Sequence, residues 1–102
     1  MVFIENDPKK TVAENDQVAK ERAIAANKSY WTAIQGTIDP ARLAKAVDNG
    51  VVGHPETVVR QMKERFHSED RLMLWFDFNN HDNEGVCRSM TEFMKSVAPQ
   101  LT

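Results

Sequence analysis

Three histidines, one cysteine and an aspartate inside an apolar run are the side chains whose chemistry could matter most in this chain. His81 follows the run Leu72-Met73-Leu74-Trp75-Phe76-Asp77-Phe78 and sits in the polar stretch Asn79-Asn80-His81-Asp82. An imidazole there could exchange a proton near neutral pH; the plainer reading is a solvated loop histidine. His54 stands in Gly53-His54-Pro55-Glu56, where it faces solvent or accepts a backbone hydrogen bond as a helix cap. His67 precedes Ser68-Glu69-Asp70, a polar turn that offers no functional role. No two histidines stand four apart on one helix, so no zinc site is expected. Asp77 would be costly to bury unpaired, which favours a partner such as Arg71 or a group on a neighbouring strand over catalysis. Cys87 has no evident activating base and reads as a small helix residue. The chain carries no glycine-rich phosphate loop of the P-loop or dinucleotide type.

These residues need elements to position them. The run Leu72 to Phe78 is apolar at both parities, the pattern of a strand covered on both faces. Before it, Pro55 and Glu56 open an amphipathic helix whose Val58, Val59, Met62 and Phe66 share one face. After it, Val86, Met90, Phe93, Met94 and Val97 form the stripe of a last helix that ends at Pro99. The unit from Gly53 to Leu101 is therefore helix, strand, helix, which suits parallel α/β topology with right-handed crossovers. In barrels of that kind the C-terminal end of each strand feeds the site. A strand with two apolar faces and helices only beside it in sequence implies partners from outside the segment, either another copy or a complementary barrel fragment.

The first half is less distinctive. Val2-Phe3-Ile4 is a strand end or a frayed terminus. Two start signals follow, Asp7-Pro8 and the capping-box spacing Thr11-Val12-Ala13-Glu14. They open an alanine-rich helix through Val18, Ala19, Arg22, Ala23, Ala26, Tyr30, Ala33 and Ile34, which stops at Gln35-Gly36. Asp39-Pro40 starts a short helix that ends at Asn49-Gly50, and Val51-Val52 is long enough only for a minimal strand.

Composition narrows the class. The 102 residues are 41% hydrophobic and 27% charged, within the soluble globular range, and allow one domain at most. A net charge of −2 offers no basic field for nucleic acid, and no polybasic patch faces acidic lipid. A single cysteine excludes a disulfide framework, and no window approaches membrane-spanning length, so a cytoplasmic location is expected.

The order Val51-Val52-Gly53-x-Pro55-Glu56-Thr57-Val58, amphipathic helix, Asp70-Arg71-Leu72-Met73-Leu74-Trp75-Phe76, polar loop, Ser89-Met90-x-x-Phe93 and Val97-x-Pro99-x-Leu101 resembles the C-terminal end of the bacterial luciferase-like monooxygenases. The resemblance covers about the last half of the chain. It implies an α/β fold, the C-terminal fragment of a (β/α)8 barrel, helix-rich with two or three short parallel strands. Residues 1–50 would be a helical lead-in, and 51–102 the closing strand-helix-strand-helix of one partial domain. The activity implied is a flavin-dependent oxidation of a small organic substrate with reduced FMN and oxygen; some relatives use a deazaflavin instead. The cofactor supplies the reactive group and the protein positions it. A whole barrel needs roughly 250 residues, so most strands and most cofactor contacts of the family lie beyond this segment.

Carried onto this sequence, the resemblance nominates Gly53, His54, Phe78 and Asn79 for cofactor binding and His81 for acid–base chemistry or flavin contact. Trp75, Phe76 and Phe78 could stack near a flavin or fill a core. Two departures stand out. His54 replaces the hydroxyl residue usual before Pro-Glu, a cap worth about 1 kcal/mol, and Asn79-Asn80 replace glycines after the last strand, where asparagine tolerates left-handed backbone. The competing expectation is a non-catalytic remnant or oligomerisation module of the same fold.

Overall fold

The computed structural model describes residues 1–76 and 82–101. The elements are β1 (Val2–Ile4), α1 (Val12–Gln35), α2 (Pro40–Asp48), β2 (Val51–Gly53), α3 (Pro55–Arg65) and α4 (Asn83–Glu92). The last helix continues through a π turn at Phe93–Val97 into a 3-10 turn at Ala98–Gln100. β1 and β2 pair in parallel, with Val2 opposite Val51, Phe3 opposite Val52 and Ile4 opposite Gly53. The fold is thus helix-rich α/β with two short parallel strands among the described residues.

Alternation along the two strands builds two cores. Val2, Ile4 and Val51 face α3 and the C-terminal helix, meeting Val58, Met62, Phe93 and Val97. Phe3 and Val52 face α1 and α2, meeting Ala19, Ala23, Ala26 and Val47. The alanines let α1 lie close to the sheet, and the wider core forms on the other side. All six strand residues are buried.

A pair of strands leaves two open edges; a side chain closes that of β2, and a side chain together with one backbone carbonyl closes that of β1. On β2, the Gln61 carboxamide accepts from the Val52 N–H at 3.1 Å and donates to the Val52 carbonyl at 3.2 Å. On β1, the buried Ser89 hydroxyl accepts from the Ile4 N–H at 3.3 Å and donates to the Ile4 carbonyl at 3.4 Å. The Val2 N–H donates to the Trp75 carbonyl at 2.9 Å. Arg65 adds two bonds, to the Gly50 and Asp48 carbonyls, that tie the end of α3 to the chain entering β2. Unpaired backbone groups in this position would cost about as much as lost hydrogen bonds, so the helices that carry Gln61 and Ser89 are held at fixed registers.

The strands covered on both faces are therefore β1 and β2, and the Leu72 to Phe78 expectation is corrected over its described part. Residues 72–76 form no ladder strand. Leu74 and Phe76 pack on the core, but Met73 is 98% exposed and Trp75 53% exposed. Apolar residues at both parities were read as two covered faces; here only one face meets a helix layer. Asp77 and Phe78 lie outside the described residues. α1 covers the second face of β1 and β2, not that of residues 72–76.

Other boundaries moved for local reasons. Of the two start signals, Thr11 caps α1 by accepting from the Glu14 N–H, while Asp7-Pro8 forms a turn. Gly36 closes α1 at φ 77°, a conformation glycine adopts without strain. The expected α1 stripe holds through Ala26 and then fails: Ala33 and Ile34 are exposed, because a helix of 24 residues runs past strands of three. On α3, Phe66 falls just past the helix end and is exposed. On the last helix the buried row is Gly85, Ser89, Phe93 and Val97, and Met90 and Met94 face outward. A period of four drifts by about 40° per step on an α-helix, and the π turn at Phe93–Val97 brings Val97 back to the core.

Replacing Gln61 with Leu should cost about 1–3 kcal/mol in urea denaturation, because both outward groups of Val52 lose their partner. A loss within a few tenths of a kcal/mol would show that the carboxamide does not close the edge.

Candidate functional site

The C-terminal ends of β1 and β2 lead into the segments Glu5-Asn6-Asp7 and Gly53-His54, and the N-termini of α3 and α4 arrive beside them. In open parallel sheets this is the end at which ligands bind.

The loop after β1 is shaped by Asn15, which is 1% exposed. Its Oδ1 accepts from the Asp7 N–H at 2.8 Å, and its Nδ2 donates to the carbonyls of Asp7 and Thr11 at 3.1 and 3.0 Å. The turn after β2 is shaped by Asp16. One carboxylate oxygen accepts from the His54 N–H at 2.7 Å and the other from the Thr57 hydroxyl at 2.9 Å. Gly53 has φ 147°, and a Cβ there would stand 2.6 Å from the Asp16 carboxylate. Both backbone geometry and close approach require glycine at this position.

Pro55 and Glu56 open α3, and His54 is its cap: the imidazole Nδ1 accepts from the Glu56 N–H at 3.2 Å. A ring that accepts at Nδ1 carries its proton at Nε2 when neutral, so the free side of His54 is a donor. The ring borders a cleft of about 480 Å3, shared with Asn6, Val59, Ser96 and Gln100. α3 therefore starts on an imidazole cap.

On the other side of Asn6 lies a second cleft of about 670 Å3, between the loop after β1 and α4. Arg22 pairs with Glu5, one of its lining residues, reaches Asp82 at 3.4 Å and stacks 5.5 Å from the centroid of Phe3. Asp82 caps α4 by accepting from the Gly85 N–H at 3.0 Å. Arg88 stands 3.7 Å from Glu5. Asn6 and Ser96 both donate to one oxygen of Glu92, at 3.1 and 3.0 Å. The lining includes Glu5, Asp7, Glu84 and Glu92 against Arg88, so the cleft is strongly acidic.

Of the residues nominated from sequence, Gly53 and His54 meet at the end of β2. Phe78, Asn79 and His81 lie outside the described residues. Phe76 packs edge-on against Phe93, 5.7 Å between centroids, in the core. His67 stays in its polar turn, where its Nδ1 accepts from the Glu69 N–H. Cys87 is exposed and lines the acidic cleft. Among the described residues, no group of three or more His, Cys, Asp and Glu is arranged to hold a metal ion, and no helix is long and apolar enough to cross a membrane.

Sequence reasoning missed Asn15 and Asp16. Asn15 falls on the Ala19 and Ala23 row at a spacing of four, and a polar residue on a buried stripe is a usable signal. Asp16 has no such mark; its partners stand 38 and 41 positions away.

Asp16→Ala should lower stability by about 1–3 kcal/mol, and Thr57→Val by less, with a positive coupling in the double-mutant cycle. Strictly additive losses would mean that the carboxylate does not join α1 to α3. Compared with protein families, curated proteins and solved structures, the chain matches none.

Proposed function

We propose that the chain is the closing segment of a luciferase-like flavin-dependent monooxygenase, in which the turn after β2 borders the flavin ring. The observation that carries this reading is the pairing of a glycine turn at φ 147° with a capping histidine that lines a cleft at the strand ends. An uncharged ring system suits this lining: His54, Asn6, Ser96 and Gln100 offer polar contacts beside Val59, and Glu56 adds a carboxylate but no cation.

A phosphate group fits poorly. The adjoining cleft sets Glu5, Asp7, Glu84 and Glu92 against a single lining cation, Arg88, and a dianion beside those carboxylates would be repelled. In this reading the flavin phosphate would lie on other parts of the barrel. The oxidising chemistry would come from reduced FMN and oxygen, with a deazaflavin as the alternative carrier, and the substrate would be a small organic molecule.

The second reading, an assembly module derived from the same fold, draws on the exposed Met73, Trp75, Met90 and Met94. Those side chains would face another copy or a complementary barrel fragment. Strand pairing at β2 would require the Gln61 carboxamide to leave Val52.

Titration of the chain with FMN and with riboflavin separates the readings. The flavin reading predicts that both ligands shift the amides of Asn6 and His54, with FMN binding no more tightly than riboflavin because the phosphate meets carboxylates and not a cation cluster. His54→Ser keeps a good cap and should weaken both ligands while leaving the melting temperature unchanged. No binding of either flavin, together with a stable dimer on sizing, would favour the assembly module.

A further inference from the structure

α1 overhangs the sheet, and its last turns form an elbow with α2 around Gly36 to Asp39. The elbow encloses a cleft of about 610 Å3, within the range of about 300–1,000 Å3 common for small-molecule sites. It lies apart from the strand-end clefts and shares no lining residue with them.

The lining has two parts. Trp31, Ile38 and Ala46 are half-buried and give an apolar wall. Trp31, which lines the cleft, stands edge-on to Tyr30, with ring centroids 5.2 Å apart and planes at 79°. Arg42 and Lys45 stand three apart on α2, on the same cleft. Neither takes part in an ion pair among the described residues. The one lining acid, Asp39, caps α2 by accepting from the Ala41 N–H at 2.9 Å and keeps its charge, leaving two cations against one carboxylate. The cleft is thus cationic on a chain whose net charge is −2, and it joins an aromatic face to two available cations.

We propose that this elbow binds a small planar aromatic anion, its ring against Trp31 and its anionic group between Arg42 and Lys45. Ring contact with an indole and charge-assisted hydrogen bonds to a guanidinium are complementary sources of affinity. A carboxylate and a phosphate monoester share the required chemistry. The inference is independent of the flavin reading, since it uses other residues at another end of the molecule.

The test is a titration of the isotope-labelled chain with benzoate, phenyl phosphate, benzyl alcohol and inorganic phosphate, followed at the Trp31 indole and the amides of residues 37–49. The expected result is saturable shifts with one or both aromatic anions, the better arm naming the anion. Benzyl alcohol and inorganic phosphate should each bind at least about tenfold more weakly. Arg42→Ala with Lys45→Ala should lower the affinity for the aromatic anion by about tenfold or more, and Trp31→Leu should lower it while the spectrum elsewhere stays folded. Absence of saturable shifts at millimolar anion overturns the proposal. Equal binding of benzyl alcohol removes the role of the cations, and equal binding of inorganic phosphate removes that of the ring; either result also overturns it. Shifts confined to Asn6 and His54 would place the ligand in the other clefts and have the same effect.

Discussion

A parallel pair of three-residue strands can stand only if its outward backbone groups are satisfied; in this chain two helix side chains satisfy those of Val52 and Ile4, and the Trp75 carbonyl satisfies the Val2 N–H. Gln61 bonds both outward groups of Val52, and Ser89 both outward groups of Ile4. Each contact fixes more than an edge. Gln61 sets the register of α3 against β2, so that Val58 and Met62 reach the core. Ser89 sets the register of the last helix against β1, which brings Phe93 and Val97 to the same core. Asp16 completes the frame by joining α1 to the start of α3 through His54 and Thr57.

This frame bears on function because it decides what surrounds the strand ends. The capping His54 lines a cleft with Glu56 as its one charged residue, while Arg22 pairs with Glu5 on the wall of an acidic one. The two clefts share Asn6, yet they suit different ligand chemistry. The same closure limits how a barrel could continue from β2. A neighbouring strand would have to take over the bonds that Gln61 makes with Val52, and the exchange would leave the carboxamide seeking new partners.

Local signals were legible wherever the cause is local. Thr11, Asp39 and Pro40, Pro55 and Gly36 each mark a helix end through a bond or backbone geometry contained within a few residues, and the helices follow them. Val51-Val52 and Val2-Phe3-Ile4 were readable as short strands, but their pairing was not, since periodicity carries no register between residues 49 apart. The apolar run from Leu72 misled for a related reason. Alternation reports what could be buried, whereas the number of covering layers depends on elements elsewhere in the chain. Of the candidate site, Gly53 and His54 could be found from the turn and cap pattern. Asp16, Gln61 and Ser89 could not, because a polar residue on a helix looks solvated until its distant backbone partner is known.

Amide hydrogen exchange at Val52 and Ile4 tests the central claim most directly, with Val51, whose N–H donates to the Met1 carbonyl within the strand pair, as the internal reference. If side chains close the edges, the Val52 and Ile4 amides exchange as slowly as Val51, through the same cooperative opening. Exchange of Val52 and Ile4 near the rate of a solvated amide, with Val51 still protected, would contradict the account.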